Sequence, residues 1–551
     1  MRRSVPPVPR SRQLCAEFSE ARARSSFALV VTWTAAIASV IVALAVNAEA
    51  QQPQTFADPN VNMVRGITFP IGDPYLQRQN EPSIAVSTRN PCHLVAGAND
   101  YRSVDIPFDD TIPPNAENSL SLAGDAWLGL FKSFDCGQKW QSTLLPGYPQ
   151  DNSNVAAELK GHAAGADPTV RAGTNGLFYY SGMVFNRGSQ GTSKIFVARL
   201  VDNNNKERGD PIEFVDVSIV DTGTKGQFLD KPWLAVDVPR NGFGPGSTLA
   251  TGGSSSTGTC TVNNQQVPAG NVYMAWAKFT GSGNQHSKLM FAKSTDCGKT
   301  WKTHPITNNQ SLSQGANIAI APHDGTIYLT WREFATSNDT SNGAKPVNFW
   351  IVTSSDGGET FTNPKKIGDN VTTFDQLRST TQFRSNALPA ITADHQNRVY
   401  VAWAARGYAM APGPNGTLVP NSDSRIVMTV SSDRGQNFGP IFAIDPNPAR
   451  GHQLMPSLTF TAGKVQAIYY DSREDVSHSW GPYIDDQSSG LLRHTIDVRG
   501  AQAIPSGAPI FTPGGNSLEI SRYPQWQGGP PENRVTMVVG SNPPYLPMYC
   551  N

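Results

Sequence analysis

The sequence has no excess of charge of either sign, since its 551 residues include 44 Lys and Arg and 44 Asp and Glu. A basic face that attracts nucleic acid is therefore not expected, and neither is an acidic tail. Patterns typical of amphipathic helices are nearly absent, which points away from helical folds. No zinc-ligand spacing, phosphate-binding loop or Ser-His-Asp pattern stands out, so we expect neither a metal nor a cofactor.

The N-terminus has the order of residues that is typical of a secretory signal. Arginines precede an apolar stretch at residues 27–46, and the small-x-small sequence Ala48-Glu49-Ala50 follows it. This order predicts a signal peptide at residues 1–50 and a secreted or periplasmic protein without stable membrane insertion. The alternative is an uncleaved anchor formed by residues 27–46, because about 20 apolar residues can span a bilayer.

Glycine and proline are abundant, at 49 and 42 residues, which fits many turns between short strands. Four segments repeat the pattern Ser-x-Asp-x-Gly-x-x-(Trp or Phe), each after an apolar run. They are residues 133–140, 294–301, 354–361 and 431–438, with the aspartates Asp135, Asp296, Asp356 and Asp433. An Asp that accepts backbone hydrogen bonds and a Gly that adopts a left-handed conformation stabilise a hairpin turn, so the pattern predicts one repeated supersecondary unit.

The repeated pattern resembles the Asp box of sialidases and related bacterial neuraminidase-repeat proteins, over most of the chain after about residue 78. The resemblance implies a β-propeller in which each box joins the two outer strands of a blade, away from the catalytic face. A Phe/Tyr-Arg-Ile/Leu-Pro segment, which in sialidases precedes the first box and supplies a substrate-binding arginine, has no match here. The resemblance therefore carries more weight for the fold than for the activity.

Short apolar runs around the boxes predict six units of three or four strands. The first strand of each unit opens near a Pro or Asn, at residues 81–86, 167–170, 230–236, 316–320, 388–392 and 455–458. The second strands are residues 93–98, 177–180, 272–276, 327–331, 399–403 and 465–470. We predict an all-β fold, a six-bladed propeller of four-stranded antiparallel blades at residues 78–551, with seven blades as the alternative. Residues 51–77 form an N-terminal extension that is a candidate for a closing strand.

Two of the six cysteines, Cys136 and Cys297, occupy the same position in two boxes. Each has one cysteine upstream in its own repeat, Cys92 and Cys260. The sequence therefore predicts the disulfides Cys92 to Cys136 and Cys260 to Cys297, as suits an exported protein. Cys550 is left over.

The start of the first strand and the end of the second lie on the same rim of an antiparallel blade. This rim contains charged and polar residues from every unit, and candidate site residues are taken from it. Those at the starts of first strands are Asn80, Glu81, Asp167, Asp230, Lys231, Asn317, Asn386 and Gln453. Those at the ends of second strands include Asp100, Tyr101, Arg102, Arg187, Lys278, Arg332, Glu333, Arg406, Tyr408, Asp471 and Arg473.

Three successive units end their second strand with Arg332, Arg406 and Arg473, and convergent guanidinium groups suit a carboxylate ligand. We predict that these three residues, with Arg102, Asp230 and Lys231, bind substrate. The alternative is that each arginine pairs with an acid of its own loop.

The sialidase resemblance implies a tyrosine nucleophile activated by a carboxylate, and a separate acid. Asp100 is the candidate acid, Glu333 the activating carboxylate, and Tyr470 the nucleophile, with Tyr101 and Tyr408 as further candidates.

The leading hypothesis is an exported, monomeric glycoside hydrolase, similar to exo-sialidases, whose partner is an acidic glycan or glycoconjugate. The alternative is a non-catalytic propeller that binds a glycan or a protein on the same rim. A third hypothesis is a role of this rim in assembly of the cell envelope.

Overall fold

The structure is a computed structural model, and all of its described residues belong to one compact unit, Ala57–Asn551. The described residues are 61, 63–64, 79–101, 126–188, 191–204, 209–237, 259–268, 270–281, 286–334, 346–375, 385–412, 415, 417–446, 451–473, 493–512, 517–520 and 535–538. The predicted signal peptide lies outside them. In this part of the chain the structure is all-β, with two three-residue 3-10 helices, Ala157–Leu159 and Thr174–Gly176, and no α-helix.

The strands form six antiparallel sheets in sequence order, each with four or more strands. Blade 1 contains β1 (Gln79–Val86), β2 (Leu94–Asp100), β3 (Trp127–Ser133) and β4 (Gln141–Leu144). Blade 2 contains β5 (Ala164–Ala172), β6 (Leu177–Phe185), β7 (Ser193–Asp202) and β8 (Ile212–Gly223). Blade 3 contains β9 (Gln227–Val236), the inserted hairpin β10 (Thr259–Val262) and β11 (Gln265–Pro268), then β12 (Val272–Thr280), β13 (His286–Ser294) and β14 (Lys302–Pro305).

The second half of the chain repeats this plan. Blade 4 contains β15 (Leu312–Ile320), β16 (Ile327–Phe334), β17 (Val347–Ser354) and β18 (Lys365–Val371). Blade 5 contains β19 (Ala390–Ala393), β20 (Val399–Ala405), the inserted hairpin β21 (Met410–Pro412) and β22 (Leu418–Pro420), then β23 (Arg425–Ser431) and β24 (Phe442–Ala443). Blade 6 contains β25 (Gln453–Thr461), β26 (Lys464–Asp471) and β27 (Arg493–Ala503), whose outer edge pairs with β28 (Phe511–Thr512), β29 (Leu518–Glu519) and β30 (Val535–Val538).

The predicted six-bladed propeller is confirmed. Successive first strands pack side by side, β1 with β5, β5 with β9, β9 with β15, β15 with β19 and β19 with β25, so they line the centre of the array. All six predicted first strands and all six second strands are present. The alternative of a seventh blade rested partly on residues 523–526, which lie outside the described residues.

Buried apolar side chains fill the space between neighbouring blades. Five clusters lie at the five successive interfaces, from blades 1 and 2 to blades 5 and 6, and they include the fully buried Trp127, Trp276 and Trp403. Successive side chains of a strand point alternately towards the two neighbouring blades, and both of these interfaces are apolar. This explains the nearly continuous apolar runs of the second strands. From the predicted extension, Met63 and Val64 pack on the face of blade 1 that contains Phe131 and Trp140.

The four Ser-x-Asp-x-Gly segments form nearly identical turns between the third and fourth strands of blades 1, 3, 4 and 5. In blade 4, Ser354 Oγ donates to Asp356 Oδ1 at 2.8 Å, and Gly358 N donates to Ser354 Oγ at 2.9 Å. Thr360 N donates to the same Asp356 oxygen at 3.0 Å. The other three turns repeat these contacts with distances of 2.7 to 3.0 Å. These turns are structural elements, as predicted.

Both predicted disulfides are present, Cys92–Cys136 in blade 1 and Cys260–Cys297 in blade 3. Each joins the third-to-fourth-strand turn of a blade to the connection between its first and second strands. Cys260 lies on the inserted hairpin, so this bridge also fixes β10 and β11 to blade 3. No helix among the described residues has the length and apolar character needed to cross a membrane.

Candidate functional site

The first strands share an irregularity at their beginning, just where the rim candidates lie. The pairing register shifts at this point in blades 1, 2, 3, 4 and 6. A residue with positive φ occupies each irregularity: Glu81 at 54°, Asp167 at 58°, Lys231 at 54°, Gly315 at 72° and Met455 at 52°. Bulges bend a strand and re-aim side chains, and left-handed non-glycine residues are strained positions that are common at functional sites.

Three of these strained residues meet, although they come from three different blades. Lys231 Nζ lies 2.5 Å from Glu81 Oε2 and 3.6 Å from Asp167 Oδ1. Glu81 lies on the first strand of blade 1, Asp167 on that of blade 2 and Lys231 on that of blade 3. We call these three residues the entrance cluster, because their side chains converge at the rim on the inner strands that line the channel.

Backbone hydrogen bonds hold the entrance cluster in place from one blade to the next. Asp167 N donates to Asn99 Oδ1 of blade 1 at 2.7 Å, and Lys231 N donates to Asp167 Oδ2 at 3.1 Å. The Asp167 side chain therefore contacts both the backbone and the ammonium of Lys231. Asp230, the neighbour of Lys231, accepts a hydrogen bond from Gln314 Nε2 of blade 4 at 2.5 Å. The rim of blades 1 to 4 is thus joined by direct polar contacts.

Burial and charge shift the proton affinities of the entrance cluster. Burial raises the pKa of Glu81 to about 7, and the Asp167 carboxylate adds to this rise while Lys231 opposes it. For Lys231, burial lowers the pKa, but the charges of Asp167 and Glu81 outweigh it and raise the pKa above its usual range. Lys231 is therefore charged at neutral pH, while Glu81 is a carboxyl group that changes protonation near neutrality.

Of the predicted catalytic residues, Asp100 lies at the end of β2, which pairs with the strand β1 that contains Glu81. It pairs in register with Gln79 at the start of β1, is fully buried, and accepts a hydrogen bond from Gln79 Nε2 at 3.3 Å. The predicted substrate-binding residues Asp230 and Lys231 lie at the same rim. Arg102 lies outside the described residues.

Arg332 is buried, with 2% of its side chain exposed, and makes a two-pronged ion pair with Asp375. Asp375 also accepts hydrogen bonds from Thr373 Oγ1 at 2.9 Å and Ala387 N at 2.8 Å. Burial alone raises the pKa of Asp375, but the hydrogen bonds and charge of Arg332 outweigh it and hold the pKa below its usual value. Arg332 is thus engaged with a carboxylate of its own chain.

Arg473 makes a similar contact in blade 6. Its guanidinium donates to Asp471, with Nε at 3.0 Å and Nη2 at 2.7 Å, and pairs with the buried Asp445. Burial lowers the pKa of Arg473, but its hydrogen bonds to Asp471 and the charges of Asp471 and Asp445 outweigh this effect. The pKa of Arg473 is therefore above its usual range.

Arg406 lies over the ring of Phe374, with Cζ 4.9 Å from the centroid, and donates to the carbonyl of Ser422. The segment from Thr373 to Asp375 therefore contacts Arg332 and Arg406. Phe374 also stacks on His452, whose backbone N donates to Ser472 Oγ, the residue next to Arg473. Arg332 and Arg406 thus contact this segment, while Arg473 binds Asp445 and Asp471. A ligand carboxylate at Arg332 or Arg473 has to displace an internal acid.

Glu333 lies on blade 4 and Tyr470 on blade 6, whereas the entrance cluster is formed by blades 1 to 3. Glu333 Oε2 accepts hydrogen bonds from Trp350 Nε1 at 2.9 Å and Asn348 Nδ2 at 3.1 Å, both on β17 of the same blade. Tyr470 is half-buried near the end of β26, opposite Leu454. Their catalytic roles remain predictions.

The sequence placed Glu81 and Asp167 on the rim but assigned them no role. A usable signal was present, since three successive first strands begin with a charged residue followed by proline: Glu81-Pro82, Asp167-Pro168 and Lys231-Pro232. Among the residues described here, no group of three or more His, Cys, Asp or Glu side chains is arranged to hold a metal ion.

No protein-family model matches the chain, and no curated protein matches it by sequence. Among solved structures, the Hadza microbial sialidase Hz136 is 14% identical with a TM-score of 0.36, covering 72% of this chain and 63% of its own. The Trypanosoma rangeli sialidase with 2,3-difluorosialic acid is 12% identical with a TM-score of 0.38, covering 73% and 52%. The GH93 α-L-arabinofuranosidase of Fusarium graminearum with arabinobiose is 15% identical with a TM-score of 0.38, covering 72% and 90%.

The chain thus spans little more than half the length of the two sialidases. At these identities and TM-scores, the matches say nothing about activity or substrate. The propeller is established by the strand pairing of the chain itself.

Proposed function

We propose that this chain is an exported glycoside hydrolase whose reaction takes place at the entrance cluster. Glu81 acts as the proton donor and Asp167 as the carboxylate that faces the anomeric carbon. The observation that carries the proposal is the meeting of two carboxyl groups from different blades at one ammonium group, Lys231 Nζ. Paired carboxyl groups with different proton affinities are what acid-assisted cleavage of a glycosidic bond requires.

The spacing of the two carboxyl groups favours a retaining mechanism. Because their oxygens lie 2.5 and 3.6 Å from the same nitrogen, they are at most about 6 Å apart, which excludes the wider spacing of inverting enzymes, about 6.5 to 9.5 Å.

In the proposed reaction, Glu81 transfers its proton to the glycosidic oxygen as the bond to the anomeric carbon breaks. Asp167 Oδ1, the oxygen that is not used in the bond to Lys231 N, attacks that carbon and forms a glycosyl ester. Glu81, now ionised, takes a proton from a water molecule, and this water hydrolyses the ester. Lys231 stabilises the carboxylate charges throughout.

The charge of the cluster bears on the substrate. Asp167, Asp230 and Glu81 surround one cation, Lys231, so this part of the rim favours a neutral sugar over one that carries a carboxylate. The finer hypothesis of an exo-sialidase-like enzyme that acts on acidic glycans depends on Arg332, Arg406 and Arg473. It requires Asp375, or Asp445 and Asp471, to give up their arginine partners.

The proposal is tested by incubating the exported chain with fluorogenic neutral glycosides and fluorogenic sialosides. Glu81→Gln and Asp167→Asn should each lower kcat/KM by about 10²- to 10⁴-fold. Glu359→Gln is the matched control, because Glu359 is an exposed glutamate that also contacts lysines, Lys293 and Lys302. Turnover of sialosides alone, abolished by Arg332→Ala, would favour the acidic-glycan hypothesis. Glycan binding without any turnover would support the non-catalytic alternative and contradict the hydrolase.

A further inference from the structure

A second charged group lies on the inner strands, beyond the entrance cluster. Arg171 follows Asp167 by four residues on β5, which places it about 13 Å further along the channel. Its Nη1 donates to Val170 O at 2.8 Å and contacts Ser83 Oγ of β1 at 3.4 Å. Its Cζ lies 5.0 Å from the ring centroid of Trp233 on β9. Because Arg171 reaches the inner strands of both neighbouring blades, its guanidinium lies on the channel side of β5.

Arg171 differs from several other arginines among the described residues in having no acidic partner. Arg199, Arg332 and Arg473 each pair with an aspartate, whereas no carboxylate pairs with Arg171 within the described part of the chain. Burial lowers the pKa of Arg171 to about 10, and no neighbouring charge opposes this shift. Arg171 therefore remains a cation at neutral pH in surroundings that disfavour an uncompensated charge.

The indole of Trp233 supplies a second unused donor at the same place. Trp233 Nε1 is buried and has no hydrogen-bond partner among the described residues. A buried donor without a partner is unusual in folded proteins. The face of the ring is covered by the guanidinium of Arg171, so it is not available to stack on a sugar. Cation and indole together offer N–H donors and positive charge, and no acceptor.

We propose that the channel holds an anion-binding site at Arg171 and Trp233, and that its ligand is a small oxyanion, a carboxylate or a phosphate. The planar guanidinium suits two oxygens of such a group, and the indole N–H suits one more contact. A cation is excluded by the charge of Arg171. The site is separate from the entrance cluster, and it does not depend on whether that cluster is catalytic.

The experiment measures thermal unfolding of the full chain in sodium acetate, sodium phosphate and sodium chloride at constant ionic strength. For the wild type, we expect the unfolding midpoint to rise by about 2 to 4 °C when acetate or phosphate reaches about 100 times its dissociation constant. Chloride should have a smaller effect, because it makes no bidentate contact. The oxyanion that gives the larger rise identifies the class of ligand.

Arg171→Gln keeps most of the side-chain size and removes the charge, so the oxyanion response should disappear. Trp233→Phe keeps the ring and removes the N–H, so the response should decrease. Arg434→Gln is the matched control, because Arg434 is exposed and pairs with Asp324, and it should respond as the wild type does. Isothermal titration of acetate and phosphate into wild type and Arg171→Lys, which retains the charge, provides a second measurement. A wild type without response, or an equal response in Arg171→Gln, would overturn the site.

Discussion

Protonation of Glu81 should couple the stability of the protein to pH in a way that a single substitution removes. The pKa of Glu81 rises from 4.5 to about 7 in the folded protein. Between these two values the folded state binds a proton that the unfolded state has released, so stability falls as pH rises from about 4.5 to about 7. A shift of this size corresponds to about 3 kcal/mol for a fully buried group. Because 37% of the Glu81 side chain is exposed, solvent screening reduces the expected effect to about 1 kcal/mol.

The assay is urea unfolding of wild type and Glu81→Gln at pH 5 and at pH 8. Glutamine resembles the protonated acid, so Glu81→Gln should lose about 1 kcal/mol less than the wild type between the two pH values. Glu359→Gln, the exposed control, should keep the loss of the wild type. If Glu81 is also the proton donor, kcat/KM should fall above about pH 7. Equal loss in wild type and Glu81→Gln would refute the pKa argument, whatever the enzymatic result.

Two further predictions concern the scaffold. Asp375→Asn should destabilise the protein by about 3 to 5 kcal/mol in urea unfolding, because it leaves the buried Arg332 without its counterion. Adding Arg332→Met to this variant should restore part of the lost stability. Unchanged stability of the single variant would contradict the buried pair. Asp356→Asn should cost about 1 to 2 kcal/mol at pH 7, because it weakens charge-assisted hydrogen bonds from Ser354, Glu359 and Thr360. Hydrogen bonds lower the pKa of Asp356 to about 2 despite the opposing effect of burial. The contribution of the Asp356 carboxylate to stability is therefore present above about pH 4 and is lost as pH falls towards 2. A stability difference between Asp356→Asn and wild type that persists at pH 2 would exclude the carboxylate charge as its cause.

Much of the fold followed from the sequence because its signals are local. Each box turn is stabilised by hydrogen bonds between residues at most four positions apart, from the Ser and Asp side chains to each other and to backbone N–H groups. One copy of the pattern therefore specifies its own geometry. The short apolar strands on either side then fix the order of the blade. The same repeat placed Cys136 and Cys297 at equivalent positions, which made the disulfide pairing predictable.

The candidate site was less predictable because its partners are distant in sequence. Glu81 and Lys231 meet across 150 residues, and the rise in the pKa of Glu81 depends on packing that no pattern reveals. Asp375 and Asp445 lie in segments between blades, without a strand or turn signature, and they pair with Arg332 and Arg473. Sequence position therefore identified the rim, but not which of its charges neutralise one another.

The bulge at the start of the first strands has a consequence for how this scaffold accepts change. In blade 4 the left-handed position is Gly315, the residue that tolerates this backbone conformation best. In blades 1, 2 and 3 it is occupied by Glu81, Asp167 and Lys231, and the backbone conformation is kept in spite of its cost. The position thus varies from glycine to acid to base while the blade around it stays the same. A single substitution at one of these equivalent positions can therefore change the charge of the rim, with the strand register and the hydrophobic interfaces left intact.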